Sequence, residues 1–215
     1  NFEYYSEDGY LAGTIAAAVT GAAQEKGMYC YMKHFALNER ETFRHYGLCT
    51  WSNEQAMREI YLKPFEYAVK EGGLTAMMSS YNNLGTTWAA GSKALLTNVL
   101  RNEWGFQGTV LTDNNEEHGF MDPEVAITAG GTALLYNGMN GAKTCDRLAE
   151  TASGQQLLRE AAHQYLYTVA NSYATELEPA QALWRTPALA GSIVLYIITI
   201  GGLIILFTTG RKKKN

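Results

Sequence analysis

Two rhythms of apolar and polar positions alternate along the chain. From 11 to 26, Leu11, Ile15, Val19 and Ala22 recur at helical spacing, and Gly27 supplies a stop. Residues 28–32 then form a short apolar run of strand length that delivers Lys33, His34 and Phe35 to its end. The stretch 52–69 returns to the helical period. Ser52 and Gln55 stand at capping-box spacing, Ile60, Phe65 and Val69 can face a core, and Pro64 marks a kink or a break. A second strand, 74–79, leads into Ser80-Tyr81-Asn82, and a helix over 95–104 follows. Residues 109–112 are β-branched and apolar, as in a strand buried on both faces, and end in Asp113. A short helix and one last strand fit 123–135. The stretch 154–175 reads as an amphipathic helix with Leu158, Ala161, Ala162, Tyr165, Leu166 and Val169 on or near one face. Strands separated by helices predict parallel βαβ units and an α/β fold. Polar side chains at successive strand ends suggest the C-terminal face of a barrel, where catalytic groups collect. By itself, Asp113 is also compatible with capping a turn or the next helix.

The pattern changes after 176. A linker over 177–187 contains Pro179 and Pro187. Residues 188–210 carry no charge and are rich in Ile and Leu, enough for about 30 Å of hydrocarbon. Arg211, Lys212, Lys213 and Lys214 follow at once. The positive-inside rule puts this basic tail, 211–215, in the cytoplasm and the residues before the span outside the cell. The expectation is a single-pass cell-membrane protein with a domain over 1–176.

Composition narrows this picture only a little. The chain is 47% hydrophobic and 18% charged, which excludes disorder, and its net charge of -4 gives no reason to expect nucleic acid. Cys30, Cys49 and Cys145 show no C-x-x-C spacing, so a zinc site is not indicated, and one Cys30–Cys49 bridge stays open.

Several motifs carry a family resemblance over about 1–175. These are Asn1-Phe2-Glu3-Tyr4-Tyr5-Ser6-Glu7-Asp8, Lys33-His34-Phe35, Asn38-Glu39-Arg40-Glu41-Thr42-Phe43-Arg44 and Ser80-Tyr81-Asn82. The last is Glu103-Trp104-Gly105-Phe106-Gln107-Gly108, with the Asp113 strand after it. Together they resemble glycoside hydrolase family 3, which includes β-glucosidases and β-xylosidases. The resemblance implies that Asp113 is the nucleophile that attacks the anomeric carbon. It implies that Lys33, His34 and Arg44 grip sugar hydroxyls and that Tyr81 approaches the nucleophile. No cofactor is implied. Adjacent Lys and His also make chemical sense here, because a hydroxyl needs both donors and acceptors. His45 is a weaker acid/base candidate, since a branch of the family uses a loop histidine but carries a different loop sequence. Two departures stand out. The family's usual Trp after the aspartate is Asn114 here, and the acidic residue of its late Ala-Gly-x-Asp segment is missing from Ala129-Gly130-Gly131-Thr132.

The same resemblance aligns Asn1 partway through the family's barrel. It implies a partial (β/α)8 TIM-type barrel completed by an N-terminal chain or segment of the same protein, which would also bring the acid/base. The expected activity is retaining hydrolysis of β-linked glycosides at a membrane surface. Two rivals follow from the departures: a domain that binds sugar without cleaving it, and a membrane-assembly subunit with a relic barrel.

Overall fold

The computed structural model describes residues 3–44, 47–115, 120–136, 145–176 and 185–212. Contacts divide the chain into two compact units, Asn1–Thr175 and Glu176–Asn215.

Helix α1 (Gly9–Glu25) starts at Asp8, whose carboxylate accepts from the Tyr10 and Leu11 amides. Its buried face is Ala12, Gly13, Ala16 and Thr20, while Leu11 and Val19 are exposed. The apolar period therefore pointed to the wrong face. The reason is close packing: a Cβ on Gly13 would meet Tyr67 Cβ at 2.9 Å, so the contact with α3 (Lys63–Lys70) selects small residues. Gly27, at φ +76°, closes α1, and the Met28 amide still donates to Ala23 O. Residues 27 and 28 are thus occupied in ending the helix. Strand β1 begins only at Tyr31 and runs to Phe35, later than the apolar run suggests.

After the short strand β2 (Cys49–Thr50), helix α2 (Glu54–Ala56) is capped by Asn53, not Ser52. A π-type turn, Met57–Tyr61, separates it from α3, which has Pro64 in its first turn, so the predicted helix is broken at that proline. Phe65 is buried as expected and Ile60 is exposed. Strand β3 (Ala76–Ser79) leads to the hairpin β4 (Asn83–Leu84) and β5 (Thr87–Trp88). A wide π-type helix over Ala94–Glu103 then enters β6 (Thr109–Asn114), which extends past Asp113. Helix α4 (Pro123–Ala129), strand β7 (Ala133–Leu135), the short α5 (Asp146–Ala149) and the long α6 (Ala152–Ala170) complete the unit.

The main sheet is parallel throughout, in the order β1-β3-β6-β7, with Met32 opposite Met77 and Met77 opposite Val110. Its core joins Phe35, Phe65, Met77, Leu96, Leu100, Trp104 and Val110. The Phe35 ring meets Phe65 and Trp104 edge-on at centroid distances of 5.1 and 5.7 Å. The second sheet, β2-β4-β5, is small.

Two polar fastenings hold the starts of the strands. Arg101, largely buried, donates to Gly130 O at 2.7 Å and to Gly108 O at 3.2 Å; burial pushes its guanidinium down to about 10. Thr168 on α6 donates to Thr75 O and accepts from the Thr109 amide at 2.8 Å, so one hydroxyl ties α6 to the starts of β3 and β6. The apolar stripe read from α6 is only partly used: Ala161 is buried, whereas Tyr165 and Leu166 are exposed.

In the second unit, α7 (Arg185–Lys212) contains Thr186–Phe207, the one span among the described residues long and apolar enough to cross a membrane. Cys30, Cys49 and Cys145 are free, so the Cys30–Cys49 bridge is not formed.

Candidate active site

Parallel strands that run side by side bring their C-terminal ends to one rim, and the sequence puts polar groups at or just beyond three of the four ends. Strand β1 ends in Lys33 and His34, β3 runs into Tyr81, and β6 carries Asp113 near its end. Backbone ties hold the rim: the Ser80 amide donates to Phe35 O at 2.7 Å, and Ser80 Oγ donates to Ala36 O at 2.9 Å. The Lys33–His34 and Phe35–Ala36 peptides are cis.

His34 Nε2 lies 3.8 Å from Asp113 Oδ2, and Arg44 Nη1 lies 4.0 Å from the same oxygen. Their side chains are nearly buried, at 12%, 15% and 13% exposure for His34, Asp113 and Arg44. The separations exceed a hydrogen bond, yet atoms 3.8 Å apart can both lie within about 2.8 Å of one hydroxyl oxygen. Arg44 also pairs with Glu41 at 2.7 Å and lies over the Tyr81 ring at 4.5 Å. Arg44 Nε, Asn38 Oδ1 and Asn82 Oδ1 are buried without a hydrogen-bond partner among the described residues. The other oxygen of Asp113 accepts from the Asn114 amide at 2.7 Å, which fixes the carboxylate's orientation.

The structure thus brings together Asp113, His34, Arg44 and Tyr81. Lys33 sits further out, half-exposed, and is bound by Glu3 at 3.0 Å. Sequence reading missed Glu3 and Glu41 as members of the cluster. Glu41 was within reach, since it stands three residues before Arg44, whereas Glu3 arrives from a segment distant in sequence. His45, Glu116 and Glu117 lie outside the described residues. Among the described residues no cluster of His, Cys, Asp and Glu could hold a metal ion.

Burial, with Lys33 and Arg44 nearby, holds the His34 imidazole below its usual range, against the opposing pull of Asp113 and Glu3. Asp113→Asn removes one of the charges that favour the imidazolium, so the titration midpoint of His34 should fall further. NMR titration of the imidazole in wild type and variant checks this, and a rise would contradict the placement of Asp113 beside His34. The sign for stability follows: a depressed histidine contributes fully above about pH 6.5 and loses that contribution as pH falls through its folded midpoint.

Residues 1–140 match the Glycosyl hydrolase family 3 N terminal domain. Beta-glucosidase B of Emericella nidulans is 40% identical over 157 residues, covering 73% of this chain and 18% of that protein. A beta-glucosidase of Rhizobium radiobacter is 47% identical over 113 residues, covering 53% of this chain and 14% of that protein. The solved structure of beta-glucosidase 3B from Thermotoga neapolitana in complex with glucose superposes with a TM-score of 0.73 at 32% identity, covering 81% of this chain and 25% of that one. The chain therefore spans less than a fifth of the length of these two curated relatives. The parallel sheet, the carboxylate at its rim and these matches agree, and the chain belongs to glycosyl hydrolase family 3, with the TIM-barrel-type α/β fold of that family's N-terminal domain.

Proposed function

We propose that this chain carries the nucleophile side of a retaining β-glycosidase, with β-glucosidase-like activity, anchored in the cell membrane. The observation that carries the reading is the Asp113 carboxylate at the rim, faced at 3.8 and 4.0 Å by His34 and Arg44. In the first step an Asp113 oxygen bonds to the anomeric carbon as the glycosidic C–O bond breaks. The leaving oxygen takes a proton from the acid/base. Water then cleaves the glycosyl ester and returns the carboxylate. His34, Arg44 and Lys33 bind hydroxyls of the terminal sugar, and Tyr81, under the Arg44 guanidinium, keeps that cation aimed at the pocket. No cofactor takes part in this scheme.

The acid/base and the remaining barrel strands are assigned to an N-terminal chain or segment of the same protein. Four parallel strands leave β1 and β7 as edges among the described residues. A cavity of about 300 Å³ lined by Ala12, Ala16, Val19, Met32 and Phe65 lies beside β1. An apolar groove with Ile127, Leu134, Leu158 and Leu166 lies beside β7. Parallel sheets are normally covered on such flanks. The domain partition is read as barrel over 1–176, linker over 177–187, membrane helix over 188–210 and cytoplasmic tail over 211–215, with the barrel outside the cell.

A mechanism-based 2-fluoro glycoside tests the reaction. Covalent label on the peptide containing Asp113 supports the enzyme. Sugar binding without label supports the second reading, a binding domain, which Asn114 in place of the family's Trp favours. The anchor has its own test: deleting 188–215 should move the protein from the membrane fraction to the aqueous fraction and leave sugar affinity unchanged. A truncated protein that stays with the membrane would overturn the assignment of α7.

A further inference from the structure

Glu3 has no role in the scheme above, yet it touches two of its members. It stands at φ +54°, a region that side-chain-bearing residues seldom occupy. Its carboxylate oxygens lie 3.1 and 3.0 Å from Lys33 Nζ, and one of them lies 3.8 Å from His34 Nδ1. On the opposite edge of the ring, His34 Nε2 lies 3.8 Å from Asp113 Oδ2. A single imidazole therefore sits between two carboxylates, Glu3 on its Nδ1 side and Asp113 on its Nε2 side. Lys33 and Arg44 are the cations of the same cluster.

Burial favours the neutral imidazole, and a neutral ring holds one N–H for two acceptors. The two placements differ in consequence. With the proton on Nε2, the ring points a donor at Asp113 and competes with the anomeric carbon for the oxygen that must attack. With the proton on Nδ1, Nε2 presents a lone pair to the pocket. It can then accept from a sugar hydroxyl, and the attacking oxygen is left without an imidazole donor.

We propose that Glu3 is a positioning residue that draws the His34 proton to Nδ1 and fixes Lys33, so that Asp113 meets the sugar free of an imidazole hydrogen bond. This inference rests on the proposed glycosidase reading for its purpose. Its geometry is a property of the resting protein. Glu3 is held beside Nδ1 by its contacts with Lys33, whereas Asp113 is held through its other oxygen by the Asn114 amide and shares Oδ2 with Arg44. The Lys33 pair brings the carboxylate to the correct side of the ring.

The test is the nitrogen chemical-shift signature of His34 in the full chain, held in lipid nanodiscs. Wild type should show the Nδ1–H tautomer at neutral pH. Glu3→Gln should shift the population toward Nε2–H and lower the imidazole midpoint, because a charge that favours protonation is gone. In the active protein the same variant should cut kcat at least tenfold with a smaller change in KM, and Glu3→Asp should recover part of the loss. A wild-type Nε2–H tautomer, or an unchanged tautomer in Glu3→Gln, would overturn the proposal. The tautomer is read without turnover. A protein that shows Nδ1–H and the Glu3 dependence but takes no fluoro-sugar label would therefore retain this inference and lose the glycosidase reading.

Discussion

Asp113→Asn is expected to lower glycoside hydrolysis by about four orders of magnitude or more, with the fold intact. The amide oxygen of asparagine is a far weaker nucleophile than a carboxylate, so the glycosyl ester cannot form at a useful rate. The structural contacts are more forgiving. The hydrogen bond from the Asn114 amide can be accepted by an amide oxygen, and Arg44 keeps its partner Glu41 at 2.7 Å. Single-turnover rates on an activated aryl glycoside, together with a thermal melt, check both halves. A variant that hydrolyses at nearly the wild-type rate would take the nucleophile role away from Asp113 and direct attention to Glu116 and Glu117.

The second large effect concerns a residue with no chemistry. A Cβ on Gly108 would stand 1.7 Å from Thr75 O and 2.5 Å from Thr75 C, both backbone atoms. No rotamer relieves a clash with backbone, so Gly108→Ala must push the start of β6 away from β3. That movement strains the bond from the Thr109 amide to Thr75 O and the adjacent contact with Thr168. The expected cost is about 3–5 kcal/mol, enough to unfold many domains. Gly21 is the internal control. It lies within α1, its nearest neighbour is 3.9 Å away, and Gly21→Ala should raise stability by about 0.5–1 kcal/mol. Chemical denaturation of both variants decides. Equal midpoints for Gly108→Ala and wild type would show that the strands separate at little cost.

The placement of much of the candidate site was legible because its residues sit at or just beyond strand ends, which local pattern marks. The run into Asp113 is apolar and β-branched, as a strand buried on both faces should be, and the structure puts a strand there. Lys33 and His34 follow an apolar run and do end a strand. Misreadings arose where a tertiary contact outweighed local preference. Ser52 matches a capping box, but Asn53 makes the bond to the Ala56 amide. Leu11 and Val19 look like core positions, but the approach of α3 admits only Ala12, Gly13 and Ala16. Tyr165 and Leu166 follow the helical period correctly and still face outward. Glu3 was invisible because nothing local marks a carboxylate that reaches a strand 30 residues on.

The Thr168 hydroxyl also bears on the order in which the unit assembles. Its bond to Thr75 O spans 93 residues, whereas the link from Arg101 to Gly130 spans 29. Closing the longer loop costs more chain entropy, though only as the logarithm of its length, and contacts of this range slow folding. The β3-β6-β7 ladder and its Arg101 clasp can therefore condense early on local information. On this ordering α6 is expected to dock afterwards, and until it does the amide at the start of β6 lacks its hydroxyl acceptor. This late tie is thus expected at the strand starts, the end of the sheet opposite the rim that carries Asp113.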